Sequence, residues 1–178
     1  DGDEYVPSKK PSLRLGVNVS QQEGTLESLG KLYDLQYGRA AVTEMTNGKA
    51  TATVNSMSRK VAIWAISFKN KDNNALFGNI DYVAILGVKP TGQLDLKTGN
   101  WVDNGQEGTG TVTLAKKDGS KMNGSSTFYA AIIPGTYTDV TVMVAANNKY
   151  YIAKVKNGKQ FKEGEIYTNK SVPVSAKE

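Results

Sequence analysis

Cysteine and histidine are both missing from the 178 residues of this chain. Without cysteine there is no disulfide framework, no thiolate nucleophile and no thiolate metal ligand. Without histidine there is no imidazole base and no Cys/His zinc site, so the usual hydrolytic triads fail at their first member. What remains for chemistry is a carboxylate pair, a Ser–Lys arrangement or an all-oxygen calcium or magnesium site. Arginine is scarce as well. Only Arg14, Arg39 and Arg59 stand among 22 basic residues, the rest being lysines that sit singly except at Lys9-Lys10 and Lys116-Lys117. A nucleic-acid face gathers Arg and Lys beside exposed aromatic residues, whereas scattered lysine is how soluble β-proteins blunt their strand edges. The net charge of +5 therefore does not point to nucleic acid. No apolar run approaches the roughly 18 residues of a membrane-spanning helix, and the opening DGDEYVPSKK is no signal peptide. The expectation is a cytosolic protein, or an exported one whose targeting segment has been cut away. An exported chain without cysteine fits a bacterial envelope.

What is present is β-patterning. Residues 1–11 are polar, carry Pro7 and Pro11, and are expected to form a flexible lead-in to a single domain over 12–178. SLRLGVNVS then alternates Leu13, Leu15, Val17 and Val19 against Arg14, Gly16 and Asn18, the pattern of a half-buried strand. QQEGTLESLGKLYDLQYGR is the one stretch with helical character, and Gly30 holds it to about one turn. KATATV (49–54) follows the turn signal TNGK. RKVAIWAISF (59–68) and IDYVAILGV (80–88) are apolar at nearly every position, as strands covered on both faces are. TGQLDLKTGNWVD reads as a hairpin turning at Lys97-Thr98-Gly99, and TVMVAANNKYYIAKV as another centred on Asn147-Asn148. That centring sets Ala145 opposite Tyr150, Val144 opposite Tyr151, Met143 opposite Ile152 and Val142 opposite Ala153, because Asn tolerates the positive φ of a primed turn. Pro173 is expected to confine the last strand to an edge. Short strands every 8–12 residues, with 18 glycines between them, give an all-β fold: an antiparallel sandwich of two sheets.

Few residues invite a chemical role. GVKPTGQ spaces two glycines like a phosphate-binding loop, but Gln93 stands where that loop needs lysine and no helix follows, so it is a strand end and turn. Asp72, Asn73 and Asn74 form one cluster of side-chain oxygens; Asp95, Asp103, Asn104 and Glu107 form another. Calcium wants six to eight oxygens; Asx-rich turns account for both clusters more simply. Asp103 and Glu107 could act as a carboxylate pair on a sugar, although the aromatic residues mostly fall on inward faces. Trp64, within a central run, reads as core. Trp101, beside polar turn residues, is the exposed candidate for ligand contact, for a glycan or a host protein. Asn18, Asn123 and Asn169 each head an N-x-S triplet, which matters only in a eukaryotic secretory route.

The order of segments resembles that of the fimbrillin-like proteins of Bacteroidetes, surface lipoproteins that build or decorate type V pili. KATATVNSMSRKVAIWAISFKNKDNNALFGNIDYVAIL is similar to that family's alternating strand, buried run, polar turn and following strand. TGQLDLKTGNW resembles its hairpin, TFYAAIIPGTYTDVTVMV its strand with an internal proline, and KYYIAKVKNGKQFKEGEIYTNKSV its closing pattern, together spanning roughly residues 37–172. The resemblance implies a transthyretin-like sandwich with Greek-key connections, no cofactor, and no catalysis. It also implies a place at the cell surface, on the outer membrane through a lipid anchor or in the fimbrium, with other pilus subunits or surface ligands as partners. In the polymerising members, cleavage after an arginine frees an N-terminal strand and a neighbour's strand fills the groove. Carried over, this makes Arg14 and Arg39 the processing sites, and Leu13, Leu15, Val17 and Val19 the apolar face of the exchangeable strand. Members commonly carry two sandwich domains in tandem; the strands here suffice for one.

Overall fold

The computed structural model describes residues 13–102 and 109–177; the expected lead-in over 1–11 and the carboxylates Asp103 and Glu107 lie outside them. The strands that build and flank the core are β1 (Arg14–Asn18), β2 (Gln21–Gln22), β3 (Val42–Thr46), β4 (Lys49–Ala52), β5 (Ala62–Asn70), β6 (Tyr82–Val88), β7 (Thr91–Asp95), β8 (Gly110–Leu114), β9 (Phe128–Ile132), β10 (Thr141–Ala146), β11 (Lys149–Lys154), β12 (Lys159–Phe161) and β13 (Ile166–Ala176). The helical stretch amounts to one turn, Leu26–Ser28, widening into a π turn over Leu29–Tyr33. Thr25 caps it, its Oγ1 accepting from the Ser28 amide at 3.1 Å.

The all-β class expected from the pattern is what the chain forms, with a different sheet plan. Eight of these strands join in one path, β9-β5-β13-β11-β10-β6-β8-β2, and the short strand Ala75–Leu76, hydrogen-bonded to β5, makes the sheet nine-stranded; β1 with β7 and β3 with β4 form separate ribbons. The path curls around one apolar cluster that holds Trp64, Ile66 and Phe68 of β5, Val83 and Ile85 of β6, and Val142 and Val144 of β10. Ala62 to Ala65 are all buried, as a strand covered on both faces requires. The β10–β11 hairpin has the register read from its turn, Val144↔Tyr151 and Met143↔Ile152 included. Asn147 and Asn148 both adopt positive φ, 52° and 57°, the two left-handed residues a tight primed turn needs.

Three expectations are corrected. The sheet is not purely antiparallel: β2 runs parallel to β8, and β13 parallel to β5. Nor is the last strand at an edge. β13 lies along β5 from Ile166 to Val174 and then meets β11 through Ser175 and Ala176, so it carries the path from one half to the other. Pro173 fits there because backbone direction alternates along a strand. The Val174 carbonyl accepts from the Lys71 amide, so Val174 faces β5 and Pro173 faces the other way, where β11 has not yet joined; the missing N–H costs no ladder bond. Third, SLRLGVNVS is not uniformly half-buried. β1 pairs with β7 along a ribbon that outruns the core, leaving Leu13 66% and Leu15 39% exposed, while Val17 is half-buried and Val19 reaches the interior.

The hairpin β3–β4 turns at Asn47-Gly48 as TNGK implies, but every residue from 39 to 58 is exposed. Its alternation therefore marks pairing within the hairpin and not a buried face.

The path closes on itself at its ends. β8 and β9 would each present a bare backbone edge there, and residues 19–24 lie between them. The Thr113 and Ala115 amides donate to the carbonyls of Ser20 and Gln22, at 2.8 and 2.9 Å, and the Tyr129 amide to that of Gly24 at 2.8 Å. Gln22, 4% exposed, completes the seam with its side chain. Its Oε1 accepts from the Ala131 amide at 2.8 Å, and its Nε2 donates to the carbonyls of Ala131 and Val19 at 2.9 and 2.8 Å. A carboxamide carries the same donor and acceptor as a peptide group, so Gln22 pairs with β9 as another strand would. Gln22→Ala leaves these buried groups without partners and is expected to lower the unfolding free energy by about 3 kcal/mol, measured by urea denaturation. Gln22→Glu should do no better, because a carboxylate cannot donate to either carbonyl.

Candidate functional site

The residues proposed from sequence for processing and exchange fall on one strip of chain, 13–39, which meets the rest of the molecule along strand edges. β1 lies antiparallel on β7, from Arg14↔Asp95 to Asn18↔Thr91. The seam segment follows, and Val19 and Leu29 insert into the core at 1% and 3% exposure. The Tyr33 hydroxyl donates to the Gln21 carbonyl at 2.6 Å. Burial, with a contribution from Glu23, pushes its phenol above the ordinary tyrosine range, so it remains a protonated donor. Leu35 accepts from the Lys60 amide, and Gln36–Tyr37 pairs with Ser58–Arg59. The apolar anchors of this strip are thus Val19 and Leu29, with Val17 partly engaged, and Leu13 and Leu15 stay outside. Leu29 was not among the residues singled out by alternation, because it sits in the helical turn rather than in a strand.

The three arginines differ in what holds them. Arg59 is half-buried and forms a two-pronged pair with Asp34, Nη2 to Oδ2 being 3.0 Å; the hydrogen bonds it donates to the Asp34 carboxylate push its guanidinium further up. Arg14 is exposed but lies within β1, its Nη1 3.4 Å from Gln93 Oε1. Arg39 is exposed on the irregular link 38–41 and has no side-chain partner among the described residues. A protease needs an extended, unpaired stretch of backbone, and of the three only Arg39 offers one.

Trp101 is not the free platform its neighbours suggest. It is half-buried, bridges Leu94 across the 95–101 hairpin, and donates from Nε1 to the Lys60 carbonyl at 2.8 Å. Gly92 lies beneath its ring, where a Cβ would come within 3.0 Å. Lys60 itself is buried, paired with Glu163 and 5.9 Å from the centre of the Tyr37 ring. The indole therefore belongs to a wall built from Gly92, Leu94 and Lys60. Trp64, read as core, is 2% exposed.

The oxygen-rich clusters behave as turns where they are described. Asn70 Oδ1 accepts from the Asp72 amide, Asn73 Oδ1 from that of Ala75, and Asp72 Oδ2 from that of Ala176. Asp95 Oδ1 accepts from the amides of Lys97 and Thr98. These oxygens serve the backbone. Among the described residues no three acidic side chains come together as a metal site would require, and no helix is long and apolar enough to cross a membrane.

A family model described as fimbrillin-like matches residues 14–172. A search of curated proteins finds no match. Among solved structures, the chain is similar to a protein from Bacteroides ovatus provisionally described as a cell adhesion protein, at TM-score 0.57 and 14% identity, over 100% of this chain and 63% of that one. It is also similar to a protein from Bacteroides uniformis, described in the same terms, at TM-score 0.56 and 16% identity, over 97% of this chain and 68% of that one. At such identities the likeness is one of fold, and this chain spans less than two thirds of the Bacteroides ovatus protein. The family match, by contrast, runs from the first residue of β1 into β13 and takes in the seam, the central strands and both hairpins, and on that ground the chain belongs to the fimbrillin-like family.

Proposed function

We propose that this protein is a non-enzymatic subunit of a surface fimbrium, or a fimbrillin-like lipoprotein of the outer membrane, acting through assembly and adhesion. In this proposal the chain from residue 12 is one domain, a variant of the transthyretin-like sandwich, and a lipid anchor ahead of it tethers the protein to the membrane. Its partners are other pilus subunits or host and bacterial surface ligands. The strip 13–39 is the exchangeable element: once freed, it leaves the edges of β8 and β9 open to the same strip, or an equivalent strand, from a neighbour. One observation carries this. The strip is stitched along strand edges with Val19 and Leu29 as its deep anchors, and the arginine that best suits a protease, Arg39, lies where the strip ends.

The test is limited digestion of the folded protein with an arginine-specific protease. Cleavage after Arg39 is expected well before cleavage after Arg14 or Arg59, followed by SDS-resistant oligomers when the cut protein is concentrated. Failure to trim before residue 40, or a cut protein that stays monomeric with its strip in place, would defeat the exchange role.

The alternative, a glycan- or host-protein-binding module centred on Trp101 and the 95–107 hairpin, would need an indole free to meet a ligand. Trp101→Ala is expected to lower the unfolding free energy by about 2 kcal/mol or more and to leave retention on a polysaccharide array unchanged. Loss of an array signal with unaltered stability would favour the module.

A further inference from the structure

Where β13 leaves β11, a cavity of about 150 Å³ opens between the two halves of the curled sheet. The two strands pair through Tyr151↔Ala176 and Ile152↔Ser175, whereas up to Asn169, and again from Val172 to Val174, β13 pairs with β5. The gap is lined by apolar side chains of β5, β10, β11 and β13, Trp64, Val142 and Val172 among them, with three polar side chains, Lys154, Lys159 and Asn169.

Lys159 and Asn169 both present donors to the gap. The Lys159 ammonium stands 5.2 Å from the centre of the Trp64 ring, 5.1 Å from that of Tyr167 and 5.5 Å from that of Phe161. No carboxylate pairs with it among the described residues, and burial pushes its pKa below the ordinary lysine value. Asn169 Oδ1 is occupied, accepting from Trp64 Nε1 at 2.8 Å. That bond orients the amide and leaves its N–H groups without a partner among the described residues. An apolar recess with two cations, Lys154 and Lys159, and one amide donor, and no carboxylate among its lining residues, is complementary to an anion attached to an apolar body.

We propose that this cavity binds a small carboxylate with an apolar body, an aryl or branched-chain acyl acid. The carboxylate lies between Lys159 and Asn169, and the body against Trp64, Val142 and Val172. The volume agrees: an apolar cavity of about 150 Å³ accepts a benzene ring. A neutral sugar is excluded by its hydroxyls, which would lose water and gain few partners on apolar walls. Inorganic phosphate would leave those walls uncovered. The rings that hold the ammonium do not replace an anion, since a cation–π contact contributes about 0.5–2 kcal/mol and does not neutralise the charge.

The experiment is an NMR titration of the intact protein with benzoate, with benzamide as the uncharged analogue, following the Trp64 indole N–H and the Val172 amide. Saturable shifts with benzoate are expected in the low millimolar range, on the order of 1 mM, with benzamide weaker by about tenfold or more. Lys159→Met keeps the aliphatic stem and should fold, as near-ultraviolet circular dichroism will show, but bind benzoate at least about tenfold more weakly. Lys159→Arg should keep most of the affinity. The site is refuted if benzoate gives no saturable shift up to about 20 mM, if benzamide binds as tightly, or if folded Lys159→Met binds benzoate as wild type does.

Discussion

Backbone edges that are taken out of water must find partners, and the curled sheet of this protein meets that demand at its two ends with one short strip. β8 and β9 approach each other but do not pair directly. Residues 19–24 stand between them and satisfy both, one side through carbonyls at Ser20 and Gln22, the other through Gly24 and the Gln22 carboxamide. An unpaired buried amide or carbonyl costs about 1–3 kcal/mol, and several are at stake along the seam. That makes the strip necessary to the closed core. It also makes the core dependent on a segment that joins the body along edges rather than through the middle of a sheet.

This dependence ties fold to proposed function. A strip that lay deep within the path, as β5 and β13 do, could not leave without dismantling the whole. A strip exposed along its whole length, as β3–β4 is, would leave no vacancy behind. The strip 13–39 lies between these cases: two apolar anchors, a row of hydrogen bonds, and an accessible Arg39 where it ends. The chain's membership of the fimbrillin-like family is the setting in which strand exchange is proposed for it.

Much of the fold was legible in the residues. Turn chemistry carried the farthest: Asn147-Asn148 set the β10–β11 register to the residue, and Lys97-Thr98-Gly99 marked the hairpin that the structure contains. Continuous apolar runs located β5 and β6 as central strands. What alternation could not tell was which alternating face meets the core. Leu13 and Leu15 alternate as well as any strand here, yet both are exposed, because their ribbon extends past the body. Pro173 misled for a related reason: it forbids one hydrogen bond on one side, and a strand whose neighbour is missing on that side loses nothing. Gln22 gave no signal at all, since a glutamine acting as a peptide group follows no period. Trp101 was taken for surface because its neighbours are polar, when its partner, the Lys60 carbonyl, is 41 residues away in the chain.

The central claim is that residues 19–24 close the sheet as a unit that opens more easily than the sheet itself. Native-state hydrogen exchange across a denaturant series reads this directly in the intact protein. The amides of Thr113, Ala115, Tyr129 and Ala131 all donate into the strip. They should share one opening free energy, clearly below that of the β10 and β11 amides and with a weaker denaturant dependence. If instead they exchange only with global unfolding, on the same isotherm as β10 and β11, the strip is an integral strand and the account is wrong.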